Sequence, residues 1–187
     1  RELAEAFWAD HKTMVAELTP LPDAIADAVR QDGPVTFTDA ADAPSSGASG
    51  DSNVILSALV AAGYHGRAII PVVDAPAAQR AHDAGVGARL RLSLGGAIDP
   101  KRFPPLEIEV EVERLYDGDY VHEFSRMPAH AGPTAVLRHE NIRIIVVSKS
   151  VFMMDRAIFL AHGLDPEGAD IIVVKSPGAA IRYFSFA

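Results

Sequence analysis

Three aspartates lie close together in this 187-residue chain: Asp39, Asp42 and Asp51. No lysine or arginine stands between Arg30 and Arg67, so this stretch lacks the lysine that a phosphate-binding loop needs. Carboxylates in this arrangement repel a phosphate dianion, but they attract a metal ion, a metal-bound water, an amine or an amide N–H group. The residue types therefore favour chemistry on a cation or an amide over phosphate chemistry.

A predicted strand–loop–helix unit positions these aspartates. Residues 35–39 alternate as a strand does, the Pro-Ser-Ser-Gly sequence within residues 40–50 ends that strand, and residues 54–62 form an apolar helix that ends at Gly63. Asp51 or Ser52 is predicted to cap the helix. The loop is thus held at both ends beside a helix N-terminus, where polar ligands commonly bind.

An alternative interpretation of the same aspartates remains open. Asp51 acts only as a helix cap in that case, and Asp39 and Asp42 form only side-chain turns, which are the commonest roles of loop aspartates.

Lys175 and Ser176 directly follow the predicted buried strand 171–174. Polar residues at the carboxyl end of a buried strand lie where open α/β sheets usually bind ligands, so we expect them to converge with the first loop. A strand that simply reaches solvent at this point is the competing interpretation.

The pattern of strands and helices predicts one domain of the α/β class, with α+β character in its second half. Helices are predicted at 23–31 and 155–162, and a helix over 74–84 is capped by Asp74. Apolar or alternating runs predict a mixed sheet with two β-hairpins, which turn at 117–118 and 140–141. The predicted strands are 35–39, 67–73, 88–94, 106–113, 120–124, 134–139, 142–147 and 171–174; residues 125–133 are predicted to be a loop. The four glutamates at alternate positions of 107–113 are interpreted as a solvated face of their strand. Strands 35–39 and 67–73 are predicted to be parallel and joined by a right-handed crossover through the helix between them.

The first eighteen residues predict an amphipathic helix that ends before Pro20 and Pro22. Its apolar stripe consists of Leu3, Phe7, Met14, Val15 and Leu18. Because the chain begins at Arg1 with such a helix, we expect residues 1–33 to be a connector from an N-terminal domain and residues 34–187 to be the domain proper.

Composition excludes several classes of function. A formal charge of −8 without a basic run disfavours nucleic acid and anionic membranes as partners. The absence of cysteine excludes disulfides and thiolate metal sites. No signal peptide or membrane-length apolar run is present in the printed sequence, so we expect a cytoplasmic location.

Common catalytic motifs are absent from the sequence. Neither His122 nor His139 begins the two-histidine motif of zinc peptidases, and residues 50–54 lack the second glycine of a nucleophile elbow. His122, His130 and His139 lie on separate segments, so we predict no metal site in this chain.

Several ordered motifs nevertheless resemble one family, the C-terminal domain of the MlrC (microcystinase C) proteins. The matching segments, in the same order, are residues 38–44 with 50–52, 84–88 with 92–96, 132–138, 163–166 and 173–176. The resemblance covers the chain from about Pro34 onward. It departs from the family at Ser45-Ser46-Gly47, where relatives are often richer in glycine, and in ending soon after Ser176.

The resemblance implies a two-domain, zinc-dependent peptidase or amidohydrolase whose zinc ligands lie in an N-terminal domain. This chain then closes over that metal centre, contacts a peptide or small amide substrate, and by itself neither holds zinc nor hydrolyses peptides. The resemblance further implies catalytic roles for Asp42 and Ser176. Residues implied to contact substrate or to orient the groups that do are Asp39, Ser45, Gly47, Gly50, Asp51, Ser52 and Lys175.

A second functional hypothesis is a non-catalytic domain. The first loop then binds a small ligand, and the apolar stripe of residues 3–18 forms an interface in a homo-oligomer.

Overall fold

The computed structural model describes residues 1–14, 17–178 and 180–187. The helices are α1 (Glu2–Ala9), α2 (Leu21–Arg30), α3 (Val54–Ala61), α4 (Ala75–Ala84), α5 (Ala157–Ala161) and α6 (Ala180–Tyr183). The strands are β1 (Val35–Thr38), β2 (Ala68–Val73), β3 (Arg89–Leu94), β4 (Leu106–Tyr116), β5 (Asp119–Val121), β6 (Pro128–His130), β7 (Thr134–His139), β8 (Ile142–Val147) and β9 (Ile171–Val174). Short 3-10 turns span Ala40–Asp42, Pro44–Ser46 and Pro166–Gly168. The predicted α/β class with a mixed sheet is confirmed.

Seven strands form one sheet in the order β1-β9-β2-β8-β7-β4-β3. The first four of these run parallel, and the last three alternate in direction. β1 and β2 are parallel as expected, but β9 lies between them, so they are not neighbours. The four parallel strands end at the same edge of the sheet, and β1 is an outer strand.

Apolar residues cover the parallel half of the sheet on both faces. Successive residues of a strand point to opposite faces. Ile171 belongs to the apolar cluster that contains residues of α2, α3 and α4, whereas Ile172 belongs to the cluster that contains residues of α5 and Phe184. Continuous burial of β2 and β9 explains why their sequences are uniformly apolar. The scaffold that holds the parallel edge is therefore packed from both sides.

The glutamate row of β4 is only partly a solvated face. Glu107 and Glu109 are exposed, but Glu111 is half-buried and accepts a 2.7 Å hydrogen bond from Arg138 of β7. Glu113 pairs in the same way with Arg143 of β8. The antiparallel half of the sheet thus carries one ion pair between the neighbouring strands β4 and β7, and a second that joins β4 to β8 across β7.

The hairpin predicted at residues 117–118 is wrong in its pairing. β5 does not fold back on β4 but pairs with β6, inside the segment 125–133 that was predicted to be a loop. The Gly118 carbonyl accepts a hydrogen bond from Ala131 N–H, and this bond extends the pairing of β5 with β6. The hairpin at 140–141 is confirmed, with Glu140 at φ +50° between β7 and β8.

The N-terminal helix is shorter than predicted. It ends at Ala9, and the Thr13 hydroxyl donates to the Asp10 carbonyl in the turn that follows. Side chains that bond to nearby backbone in this way compete with helix continuation. Leu3, Phe7 and Leu18 of the predicted stripe are exposed, and Val15 lies outside the described residues.

Pro22 also behaves differently from the prediction. It lies in the first turn of α2, which begins at Leu21, because proline is tolerated where helical N–H groups have no partner.

In the described part of the chain, no helix is long and apolar enough to cross a membrane.

Candidate functional site

The carboxyl ends of the parallel strands carry the polar residues of the candidate site. Asp39 follows β1, Lys175 follows β9 and Asp74 follows β2. The Asp39 N–H donates 2.8 Å to the Val174 carbonyl, which holds the first two together. The predicted convergence of the first loop with Lys175 is therefore observed.

Lys175 is the centre of this arrangement and is 1% exposed. Its Nζ donates to Asp42 Oδ2 at 2.9 Å, to the Ser52 carbonyl at 3.0 Å and to Asp39 Oδ2 at 3.4 Å. An ammonium group has three N–H donors, so each of its hydrogens has an acceptor. The interpretation of β9 as a strand that simply reaches solvent is wrong, because its first polar residue is enclosed and paired.

Asp42 joins the two ends of the first loop. It is fully buried, its Oδ1 accepts from Gly50 N–H at 2.7 Å, and its Oδ2 accepts from Ser52 N–H at 2.7 Å. The Ser49 hydroxyl adds a 3.3 Å bond to Oδ1. These contacts reach residues seven to ten positions away, so Asp42 fixes the shape of the whole loop rather than a local turn.

The surroundings of Asp42 favour its ionised form. Burial by itself raises the pKa of Asp42, but the Lys175 charge and hydrogen bonds from Lys175, Ser52 and Gly50 outweigh burial and hold the pKa below its usual value. The group therefore stabilises the folded state whenever it is ionised.

We expect Asp42 to contribute to acid unfolding. Because its folded-state pKa lies below the unfolded value of 3.8, its stabilising effect is present above that value and is lost as the pH falls through the folded pKa. Asp42→Asn should therefore lower the free energy of unfolding at neutral pH and flatten its decline below about pH 5. Urea titrations across that range measure both effects. The exposed Asp32→Asn serves as control, and an acid limb as steep in Asp42→Asn as in the parent chain contradicts the assignment.

Asp51 connects the first loop to a second loop, residues 95–105. Its Oδ2 accepts from Ile98 N–H at 2.7 Å and from Asp99 N–H at 2.9 Å, and its Oδ1 accepts from the Ser49 hydroxyl. The suggestion that Asp51 is only a helix cap is wrong. The predicted capping of α3 by Asp51 or Ser52 is wrong as well, because the N-cap residue is Asn53 and it makes no side-chain cap bond; Ser52 Oγ accepts only a 3.4 Å bond from Val54 N–H.

Sequence reasoning missed two members of this network. Asp74 caps α4 as predicted, with Ala77 N–H at 2.9 Å, but its second oxygen accepts from Gly95 N–H at 2.8 Å. Asn53 donates to the carbonyls of Leu94 and Pro104, at the two ends of the second loop. Asparagine is a common helix cap, so its position beside a predicted helix start did not indicate that Asn53 also bonds to a distant loop.

Burial of Asp74 raises its pKa, and the nearby Asp51 charge acts in the same direction against the two amide hydrogen bonds. The pKa of Asp74 is thus raised and that of Asp42 is lowered, although both residues lie at the same edge of the sheet. Lys175 bonds to Asp42 and Asp39, whereas Asp74 has only amide donors among the described contacts.

The predicted site residues divide into a buried and an exposed group. Asp42, Gly50, Asp51, Ser52, Lys175 and Ser176 are buried, Asp39 is half-buried, and Ser45 and Gly47 are exposed. Asp42 and Ser176 both follow parallel strands at this edge of the sheet, and both are buried. The turn at residues 45–47 of the first loop and Ile98 of the second loop are exposed, so a second molecule can reach both.

The donor set does not suit a metal ion. In the ranges that the structure describes, no group of three or more His, Asp or Glu residues is arranged to hold one. The carboxylate oxygens of Asp42 and Asp51 already accept N–H or O–H groups. These carboxylates are therefore not free to hold a zinc ion of the kind that the family resemblance implies.

Comparison with known proteins identifies the domain. The family described as MlrC C-terminus matches residues 37–185. The chain belongs to this family. The match includes the end of β1, the first loop and Lys175, so the network is built from residues within the family domain.

Two longer proteins are similar to this chain over part of their length. Microcystinase C from a Sphingomonas species is 28% identical over 144 residues, which are 76% of this chain and 28% of that protein. The structure of a Mesorhizobium sp. BNC1 protein, provisionally named a metallopeptidase, superposes with a TM-score of 0.86 at 23% identity. The superposition covers 100% of this chain and 38% of that protein's chain. This MlrC C-terminal domain therefore spans well under half the length of either relative.

Proposed function

We propose that this chain is the C-terminal domain of a zinc-dependent peptidase or amidohydrolase, in which a separate N-terminal domain holds the zinc. The names of the two relatives and their greater length support this proposal. The observation that carries it is the Asp42–Lys175 network, which fixes an exposed turn at the carboxyl edge of a parallel sheet. Ligands of open α/β sheets bind at that edge.

The residues of this chain act by positioning in the proposed enzyme. Asp42 and Lys175 hold the first loop, Asp51 fixes the second loop against it, and the exposed turn at Ser45 and Gly47 faces the substrate amide. Preorganised groups of this kind contribute to catalysis by holding the substrate in a reactive geometry. Ser176, buried next to Lys175, is proposed to support the same edge.

Substitutions in the full-length protein test this role. We expect Asp42→Ala and Ser176→Ala to lower kcat/KM on a linear peptide by about tenfold or more, because misplacement of about 1 Å costs up to about a hundredfold. The zinc content, measured by atomic absorption, should stay unchanged, since its ligands lie in the other domain. Asp32→Ala is the exposed control.

Wild-type rates in both variants would contradict the proposed positioning role. Loss of zinc from either variant would contradict the separate location of the metal. Circular dichroism shows whether a variant has unfolded, so that loss of activity or of zinc is not mistaken for loss of the fold. Ser45→Ala changes the exposed turn and leaves the buried network intact. The isolated chain should bind no stoichiometric zinc and hydrolyse no peptide.

The exposed face of α1 favours an assembly role beside the catalytic one. Leu3 is 87% exposed, Phe7 67% and Trp8 72%, and large apolar side chains grouped in this way commonly mark an interface. We propose that the N-terminal domain of the same protein covers them. A homo-oligomer is the alternative, and light scattering of the full-length protein distinguishes the two.

A further inference from the structure

A groove of ≈ 1010 Å³ runs beside β1, at the outer edge of the sheet. The backbone of β1 forms one side, α2 covers a second side, and residues 184–187 close a third. Its volume is at the upper end of the range of ligand sites, which is about 300–1,000 Å³. This groove is separate from the buried Lys175 network, although Asp39 borders both.

The backbone of β1 offers unpaired hydrogen-bonding groups to this groove. Val35 N–H and Asp39 N–H donate to the Asp170 and Val174 carbonyls, so odd-numbered residues face β9. Because backbone groups of a strand alternate in direction, the N–H and C=O groups of Thr36 and Thr38 point to the open side. Such an edge is a template for pairing with another strand.

The charges around the groove are acidic. Glu17, Asp27, Asp32 and Asp39 line it, and no lysine or arginine does so among the residues that the structure describes. Asp27 is paired with Arg30 and Asp39 with Lys175, whereas Glu17 and Asp32 are exposed. A cationic occupant is therefore favoured, and pairing with β1 of a second copy would bring like charges together.

Apolar side chains lie between these acidic groups. Leu21, Phe37, Ile55 and Phe184 line the groove. An extended strand turns successive side chains to opposite directions, so a segment that alternates apolar and basic residues can fill the apolar lining and also meet the acidic rim.

We propose that the open edge of β1 binds an extended, cationic peptide segment of another protein by strand addition. This inference goes beyond the proposed peptidase role, because it requires neither zinc nor the N-terminal domain. Backbone hydrogen bonds to Thr36 and Thr38 supply register, and the acidic rim selects for basic side chains.

The test uses a fluorescent, end-blocked hexapeptide of alternating lysine and valine as the probe, with fluorescence anisotropy as the readout. We expect saturable binding to this chain that weakens with salt. A peptide methylated on every backbone nitrogen and a glutamate–valine peptide should not bind. Equal binding of the methylated peptide would overturn strand addition, and equal binding of the glutamate peptide would overturn the charge selection.

Variants of Thr36 locate the site on β1. Thr36→Pro removes the N–H that faces the groove while leaving the bonds to β9 intact, and it should weaken binding by about tenfold. Thr36→Val keeps that N–H and should bind as the parent chain does. If Thr36→Pro fails to fold, the comparison of methylated and unmethylated peptides on the parent chain still decides. Unchanged affinity in a folded Thr36→Pro, or concentration-dependent dimerisation without peptide binding, would overturn the proposal.

Discussion

Replacing Lys175 with methionine is expected to destabilise the domain by about 3–5 kcal/mol, the usual cost of removing one partner from a buried ion pair. The side chain is 1% exposed, and its partner Asp42 is fully buried. Methionine keeps much of the volume but leaves the Asp42 carboxylate without its cation in a site that water does not reach. The free energy of unfolding in urea measures this loss, and the exposed Lys101→Met should change it by less than about 0.5 kcal/mol.

A double variant separates the charge from the packing. Asp42→Asn combined with Lys175→Met leaves no unpaired charge at position 42, although Asp39 still loses its 3.4 Å contact with Lys175. The asparagine oxygen can still accept from one loop amide. We therefore expect the double variant to be more stable than Lys175→Met alone, since replacing both partners of a buried pair often costs little. A Lys175→Met protein within about 1 kcal/mol of the parent chain would show that the pair does not hold the loop.

The meeting of Lys175 with the first loop could be predicted because it follows from two local patterns. Residues 35–39 and 171–174 each read as a strand followed by polar residues, and parallel strands end at the same edge. What the sequence did not contain was the position of β9 between β1 and β2. Strand order depends on packing across the whole sheet, whereas apolar patterns report only that each strand is buried.

The role of Asp51 could not be predicted for a different reason. An aspartate before a helix has the same local sequence whether it caps that helix or accepts N–H groups from elsewhere. Its acceptor bonds reach Ile98 and Asp99, 47 and 48 positions away. The pairing of β5 with β6 was missed similarly, because each strand has only three residues and carries little alternating pattern.

Two of the aspartates that first suggested chemistry, Asp42 and Asp51, therefore share a structural use with Asp74. Asp42, Asp51 and Asp74 each accept backbone N–H groups from loops at the carboxyl edge, and Lys175 neutralises one of them. Carboxylates bonded in this way are rigid and inaccessible. The proposed enzyme role therefore assigns substrate contact to the exposed turn at residues 45–47 rather than to these carboxylates.

The conformation of that loop depends on Gly50, which gives a second large expected effect. Gly50 has φ +81°, its N–H donates to Asp42, and its carbonyl accepts from Val73 N–H at 2.9 Å. A Cβ atom at this position would lie 2.7 Å from Val73 Cγ2 and 3.0 Å from Pro44 Cγ. Gly50→Ala thus combines an unfavourable backbone conformation with a steric overlap, and it should destabilise the domain by about 2–4 kcal/mol.

Gly47→Ala is the matched control for this substitution. Gly47 has a similar φ of +88°, but a Cβ atom there would meet nothing within 4 Å. It should therefore show the backbone cost alone, about 1–2 kcal/mol. Thermal and urea unfolding of the two variants measure the difference, which reports the close approach of the loop to β2. Equal destabilisation by both substitutions would mean that Val73 and Pro44 yield to the added methyl group, and that Gly50 is required only for its backbone conformation.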